Sequence, residues 1–137
     1  MNATTHSGTI SARPHAAFDF ISRAENLPKW APGFAQSVAP EGDHWIAKNA
    51  TGEVRFALRC NAESGTVDFL AVLGPEKFLL TAPTRIVANG CGASEYIFTL
   101  FQLPGEKDEA FAMRQSALKA EFCTLDRLLA ESPAHCV

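Results

Sequence analysis

The sequence predicts an α+β domain in which a curved antiparallel sheet of about seven strands packs against one long C-terminal helix. Three observations predict it. From Phe34 to Gln102, short segments rich in Val, Ile, Phe, Thr and Trp are separated by turn residues at fairly regular intervals, the pattern of consecutive antiparallel strands. After Leu103-Pro104-Gly105, the residues Phe111, Leu118, Phe122, Leu125 and Leu129 recur at spacings of 7, 4, 3 and 4, which places them on one helical face. The length of 137 residues, with 47% hydrophobic and 20% charged, suits a single domain over 1–137, and no repeat, linker or low-complexity segment divides it.

Thr4 to Ala12 has the Thr, Ile and Ser content of a strand. Arg13-Pro14 follows, and proline suits a first helical turn because the N–H it lacks would be unsatisfied there. The short helix so started carries Ala17, Phe18 and Ile21 on one face and runs out near Asn26-Leu27-Pro28, since proline disfavours a helical residue before it. A second short turn holds Lys29-Trp30 before the Ala31-Pro32-Gly33 break. Strands are then expected at 34–40, 44–49, 53–61, 66–73, 77–88 and 93–102, with Pro83 as a point of interruption. Gly or Pro marks the turns at Glu41-Gly42-Asp43, Glu63-Ser64-Gly65, Gly74-Pro75-Glu76 and Asn89-Gly90-Cys91-Gly92. Asp108 is the expected N-cap of the last helix, which ends before Pro133, and 132–137 reads as a frayed tail.

Composition excludes several functions. A net charge of -3, from 12 basic and 15 acidic residues without a basic cluster, offers no footprint for nucleic acid. No apolar run approaches the roughly 20 residues that span a bilayer, so no integral membrane contact is expected. The polar start Met1 to His6 is unlike a signal peptide, which makes a cytoplasmic location the expectation. Cysteines 60, 91, 123 and 136 lack a C-x-x-C spacing and read as buried reduced thiols. His6, His15, His44 and His135 form no pair with ligand spacing, so no metal is expected. With no Gly-rich loop opening a helix and no G-x-S-x-G elbow, neither a cofactor nor a serine hydrolase is expected.

The informative excess is ten Phe against one Tyr and two Trp, which builds either a dry core or the wall of an apolar cavity. In 53–60, Val54, Phe56, Leu58 and Cys60 alternate with Glu53, Arg55, Ala57 and Arg59, so the first set should face the helix. In 93–102, Tyr96, Phe98 and Leu100 alternate with Ile97, Thr99 and Phe101, and alternation selects neither face; 67–73 is equally two-sided. A second copy of the chain covering the outer face is one reading of such strands, a homodimer through the sheet.

The order of elements and several local strings resemble the START-like (SRPBCC) superfamily, which includes polyketide cyclase/dehydrase, lipid-transport and Bet v 1-like proteins. The strings are Ala24-Glu25-Asn26-Leu27-Pro28-Lys29-Trp30-Ala31-Pro32, His44-Trp45-Ile46, Gly65-Thr66-Val67-Asp68-Phe69 and Arg85-Ile86-Val87-Ala88-Asn89-Gly90. The resemblance spans about residues 6 to 131 and implies a helix-grip fold around a hydrophobic cavity. It does not select an activity.

Under that resemblance, Phe56, Phe69 and Phe98 on strands oppose Phe111 and Phe122 of the last helix as a cavity wall. Phe34 and Tyr96 are further ligand-binding candidates. Trp30 and Trp45 are wall or mouth residues or plain core tryptophans, and Trp30 is expected near the entrance. Asp68, Arg85 and Glu95 are charges within apolar strands, which must reach solvent or be paired. They form either a cross-strand ion pair on the convex face or a catalytic set, with Asp68 or Glu95 as general acid or base and Arg85 holding an enolate or carboxylate. Three readings follow: a binding protein for a lipid-like, polyketide or aromatic molecule, a cyclase/dehydrase-type enzyme, and an interaction domain. The shortage of hydroxyls among the aromatics makes the expected ligand largely apolar.

Overall fold

The structure, a computed structural model, describes residues 2–130. The tail expected at 132–137, with His135 and Cys136, lies outside the described residues. Seven strands, β1 (Ala3–Ile10), β2 (Ser37–Glu41), β3 (His44–Asn49), β4 (Gly52–Asn61), β5 (Thr66–Gly74), β6 (Lys77–Asn89) and β7 (Ala93–Phe101), form one antiparallel sheet in the order β1-β7-β6-β5-β4-β3-β2. Helices α1 (Pro14–Ile21) and α2 (Leu27–Trp30) follow β1, with a 3-10 turn at Ala24–Asn26 between them, and α3 (Asp108–Leu129) closes the fold. The curved sheet and the long helix make a helix-grip fold, the architecture that the alternating strands and the 7, 4, 3, 4 stripe predict.

Local departures from the sequence reading have identifiable causes. The strand expected from Phe34 begins at Ser37 because the N–H groups of Phe34 and Ala35 both donate back to the Ala31 carbonyl, at 3.0 Å each, which makes a turn there. Pro83 does not interrupt β6; the pairing passes from Phe69↔Ala82 to Leu70↔Leu80, leaving Thr81 as a bulge, and Pro83 remains opposite Asp68. Thr81 Oγ1 donates to Phe69 O at 3.0 Å, which anchors the bulge. Pro28 starts α2 instead of ending a helix, with Leu27 in the helical region at φ -53 and ψ -43. Lys107, not Asp108, occupies the N-cap of α3, and Asp108 in its first turn accepts from Gln102 Nε2 at 2.8 Å.

The faces that alternation left open are resolved. Ser94, Tyr96, Phe98 and Leu100 of β7 are buried on the inner face, where Tyr96 and Phe98 meet Phe122 of α3 and Ser94 Oγ donates to the Ala12 carbonyl at 2.6 Å, while Glu95, Ile97, Thr99 and Phe101 alternate with them on the other face. On β5, Val67 and Phe69 join the core. The stripe of α3 buries Phe111, Leu118, Phe122 and Leu125, with Leu129 partly buried at its end. Gly8 and Ser11 guide α3 along β1: the Ser11 N–H donates to Asp126 Oδ1 at 2.7 Å, and Phe122 lies over Gly8.

Candidate functional site

Between sheet and α3 the aromatic residues form one connected network. Tyr96 and Phe98 share the inner face of β7 as alternate buried residues, and ring contacts place Phe69 (β5) and Phe56 (β4) on the same side. Phe34, in the turn after α2, meets Phe56 at 5.2 Å and Phe69 at 6.4 Å between ring centroids, edge to face. Phe69 stacks on Phe98 at 5.8 Å, and Phe98 reaches Phe122 of α3 at 6.4 Å. Tyr96 contacts Phe98 at 5.7 Å, Phe122 at 5.8 Å and Trp30 at 6.2 Å, each with its ring steeply inclined.

The end of this network at Tyr96 is polar. The Tyr96 hydroxyl bonds Thr84 Oγ1 at 3.1 Å, and Thr84 Oγ1 donates to the Val67 carbonyl at 2.6 Å, all buried. Burial drives the Tyr96 phenol far above its ordinary pKa; the bond to Thr84 opposes that shift, and the nearby charge of Glu121 adds to it. Trp30 is 1% exposed, and its Nε1–H finds no acceptor among the described residues. Glu121, the residue before Phe122 on α3, is partly buried with no hydrogen bond or ion pair among the described residues, and burial pushes its carboxyl up to about 7.

The predicted ligand-binding residues Trp30, Phe34, Phe56, Phe69, Tyr96, Phe98 and Phe122 thus come together in or against one core, and Trp45 packs on it from β3, opposite Phe56. Trp30 is not at an entrance: the single turn of α2 lays it inside, against Tyr96. Arg85 is separate, exposed on the outer face with its Nε donating to Ser64 O at 3.1 Å. Asp68 faces outward and pairs across the strands with Arg59 at 3.2 Å, the ion-pair alternative of the sequence reading. Glu95 also faces outward, where Thr9 Oγ1 at 2.7 Å and Asn89 Nδ2 at 3.3 Å donate to it. The Thr9 bond, the largest influence, holds its carboxyl below the usual range, the opposite of what a buried general acid needs. Neither carboxylate is brought to the helix interface.

Glu121 is the residue that the sequence reading missed. The signal was present: Glu121 falls three residues after Leu118 and four before Leu125, on the shoulder of the apolar stripe. Cys60 and Cys123, expected as buried thiols, are free and exposed. Among the described residues no three His, Cys, Asp or Glu side chains are grouped to hold a metal ion, and no helix is long and apolar enough to cross a membrane. Two surface hollows of about 420 and 310 Å³ lie apart from the rings, one along Asn2 and Gln102 to Glu106, the other between Phe20, Arg23 and Leu128.

No protein-family model and no curated protein matches the chain. Solved structures do. The Aha1 dimer from Colwellia psychrerythraea is similar with a TM-score of 0.73 at 16% identity, over 96% of this chain and 100% of that one. A START superfamily protein from Mycobacterium smegmatis is similar with a TM-score of 0.68 at 13% identity, covering 93% and 96%. The di-domain ARO/CYC StfQ from the steffimycin biosynthetic pathway gives 0.71 at 10% identity, over 93% of this chain and 45% of that one. The likeness is one of fold: the chain has the START-like helix-grip fold that its sequence resembles.

Proposed function

We propose that this chain binds a hydrophobic small molecule, lipid-like, polyketide or aromatic, between the sheet and α3. The observation that carries the reading is the composition of that interface: a continuous network of Phe34, Phe56, Phe69, Phe98 and Phe122 meets Tyr96, whose ring lies against Trp30, a buried indole whose N–H has no acceptor among the described residues. Binding sites for small apolar molecules combine apolar walls with a few directed polar groups. A core that served stability alone gains nothing from leaving a buried donor unpaired, which costs about 1–3 kcal/mol. The likeness in fold to an ARO/CYC protein and to a START superfamily protein supports the reading by analogy. Native mass spectrometry of protein purified from its host tests it. A co-purifying lipid-like or aromatic molecule is expected, and protein that is repeatedly empty would count against it.

A cyclase/dehydrase-type activity is the second reading, and Glu121 favours it. A carboxyl that burial pushes up to about 7 can both give and take a proton near neutral pH. Glu121→Gln should then abolish turnover of a polyketide carbonyl substrate while the domain stays folded; undiminished turnover in that variant removes Glu121 from the chemistry.

A homodimer through the outer sheet face belongs to the same proposal. Ile97 and Phe101 point outward on β7, and Leu73 and Phe78 are 63% and 43% exposed at the β5–β6 hairpin. Sedimentation velocity giving the monomer mass at all concentrations would dismiss it.

A further inference from the structure

Cys91 stands exposed at the tip of the β6–β7 hairpin, between Gly90 and Gly92. Its sulfur is engaged in a disulfide, so the reduced thiol expected at that position is not what the structure holds. Cys60 and Cys123 are free. The sequence has four cysteines, at 60, 91, 123 and 136, so Cys136 remains as the partner within the chain, and it lies outside the described residues.

The described residues bring the hairpin and the end of α3 to one corner of the fold. Cys91 is three residues from Ser94, which stands opposite Ile10 across the β1–β7 pairing and whose Oγ donates to the Ala12 carbonyl at 2.6 Å. Ser11, between Ile10 and Ala12, donates its N–H to Asp126 Oδ1 at 2.7 Å. The helix ends one turn later, where the Ala130 N–H donates to the Asp126 carbonyl at 3.0 Å. Six further residues lead from Ala130 to Cys136. Extended, they reach up to about 20 Å, and bridged cysteines need their Cα atoms only about 5.5 to 6 Å apart. We propose that Cys91 and Cys136 form a disulfide that ties the end of the chain to the β6–β7 hairpin and clamps the last turn of α3 at the corner where Ser11 holds Asp126. Forming the S–S bond takes two protons and two electrons from the thiols, and a small-molecule disulfide accepts them as its own S–S bond breaks to give two thiols. Cys91 is open to such a reagent, since even a Cβ on the neighbouring Gly90 would meet nothing within 4 Å. The bond closes a loop of about 45 residues, long enough to restrict the unfolded chain strongly. The assignment is independent of the binding function proposed above.

The test exposes the full chain to oxidised glutathione, blocks the remaining thiols with N-ethylmaleimide and digests with trypsin, which leaves each cysteine on its own peptide. Mass spectrometry should find maleimide on Cys60 and Cys123 only, and peptide 86–107 linked to peptide 128–137. Reduction before blocking should place maleimide on all four cysteines. Full blocking without reduction, a link from Cys91 to Cys60 or Cys123, a link between two chains, or glutathione retained on Cys91 would each overturn the pairing. Thermal unfolding then tests the clamp. Reduction should lower the wild-type midpoint by on the order of 10 °C and leave that of Cys136→Ser, whose change lies in the tail, where it was. An equal fall in Cys136→Ser, or a linked wild type whose midpoint ignores reduction, would overturn the clamp.

Discussion

Phe122 of α3 lies directly on Gly8 of β1, so close that a Cβ added to Gly8 would stand 2.8 Å from Phe122 Cδ2 and 2.9 Å from its Cβ and Cγ. Gly8 is at an edge strand paired only with β7, opposite Tyr96, and its missing side chain is what lets the helix settle onto the sheet. Phe122 in turn contacts Tyr96 and Phe98, so the depth of the whole network depends on this approach.

Gly8→Ala should therefore lower stability by about 1–3 kcal/mol, the usual cost of overpacking, because the far side of the contact is the base of a side chain and not its flexible end. Urea unfolding of Gly8→Ala, Phe122→Ala and the double variant checks it. The double variant should lose clearly less than the sum of the two single losses, since removing the ring relieves the crowding. Additive losses would place the strain elsewhere.

Glu121 makes a pH prediction whose sign runs against the common carboxylate case. Its carboxyl is raised by burial from 4.5 to about 7 in the folded chain, so the folded state holds a proton that the unfolded state has released between those values. The stabilisation is complete below about pH 4.5 and is lost as pH rises to 7, up to roughly 3 kcal/mol at 1.36 kcal/mol per unit. Urea midpoints from pH 4.5 to 8 should fall in the wild type and stay flatter in Glu121→Gln. Parallel curves for the two proteins would show that Glu121 does not titrate in this range.

Glu106 and Arg114 fix the entry to α3. Arg114 Nε donates to Glu106 Oε2 at 2.8 Å, and its Nη2 donates to Glu106 Oε1 and to the Phe101 carbonyl, each at 2.7 Å. The guanidinium holds the Glu106 carboxyl below its usual range, so this contribution is present above pH 4.5 and is lost as acid protonates it. Arg114→Ala should cost about 1–3 kcal/mol, as a two-point charged hydrogen bond is removed from a partly buried site. Arg23→Ala, whose partner Asp19 is as exposed as it is, should leave the unfolding midpoint unchanged. Similar losses in the two variants would mean that geometry and burial do not distinguish these pairs.

A tight turn depends on Gly65, which adopts φ +72 and whose Cβ, if present, would collide with the Ile86 carbonyl. Its own carbonyl accepts the Ile86 N–H at 2.9 Å, so the backbone has no freedom to withdraw. Gly65→Ala should destabilise more than Gly90→Ala, which shares the positive φ but has open space around it. Comparison of the two thermal midpoints measures the steric part alone.

Much of the fold was legible because its signals are local. Turn residues and strand alternation are properties of short windows, and the stripe from Phe111 to Leu125 needs only helical periodicity. The candidate site was legible through its apolar part: phenylalanines on alternate strand positions and on the helix stripe must meet if sheet and helix pack. Its charged part was not. Asp68 and Glu95 lie in strands apolar on both faces, where alternation gives no direction, and the choice depends on the register of β5 and β7 against their neighbours. Glu121 was hidden by its type, since a carboxylate in a helix reads as solvated even when its spacing to Leu118 and Leu125 puts it at the edge of the core.

The central claim is that the aromatic interface under α3 receives a small apolar molecule, and an NMR titration with naphthalene on protein labelled with ¹³C in its Phe and Tyr rings tests it most directly. Saturable shifts should concentrate on Phe69, Tyr96, Phe98 and Phe122, with Phe78 and Phe101 on the outer face unmoved. Inner rings that stay in place up to the solubility limit of naphthalene, or shifts confined to Phe78 and Phe101, would contradict it.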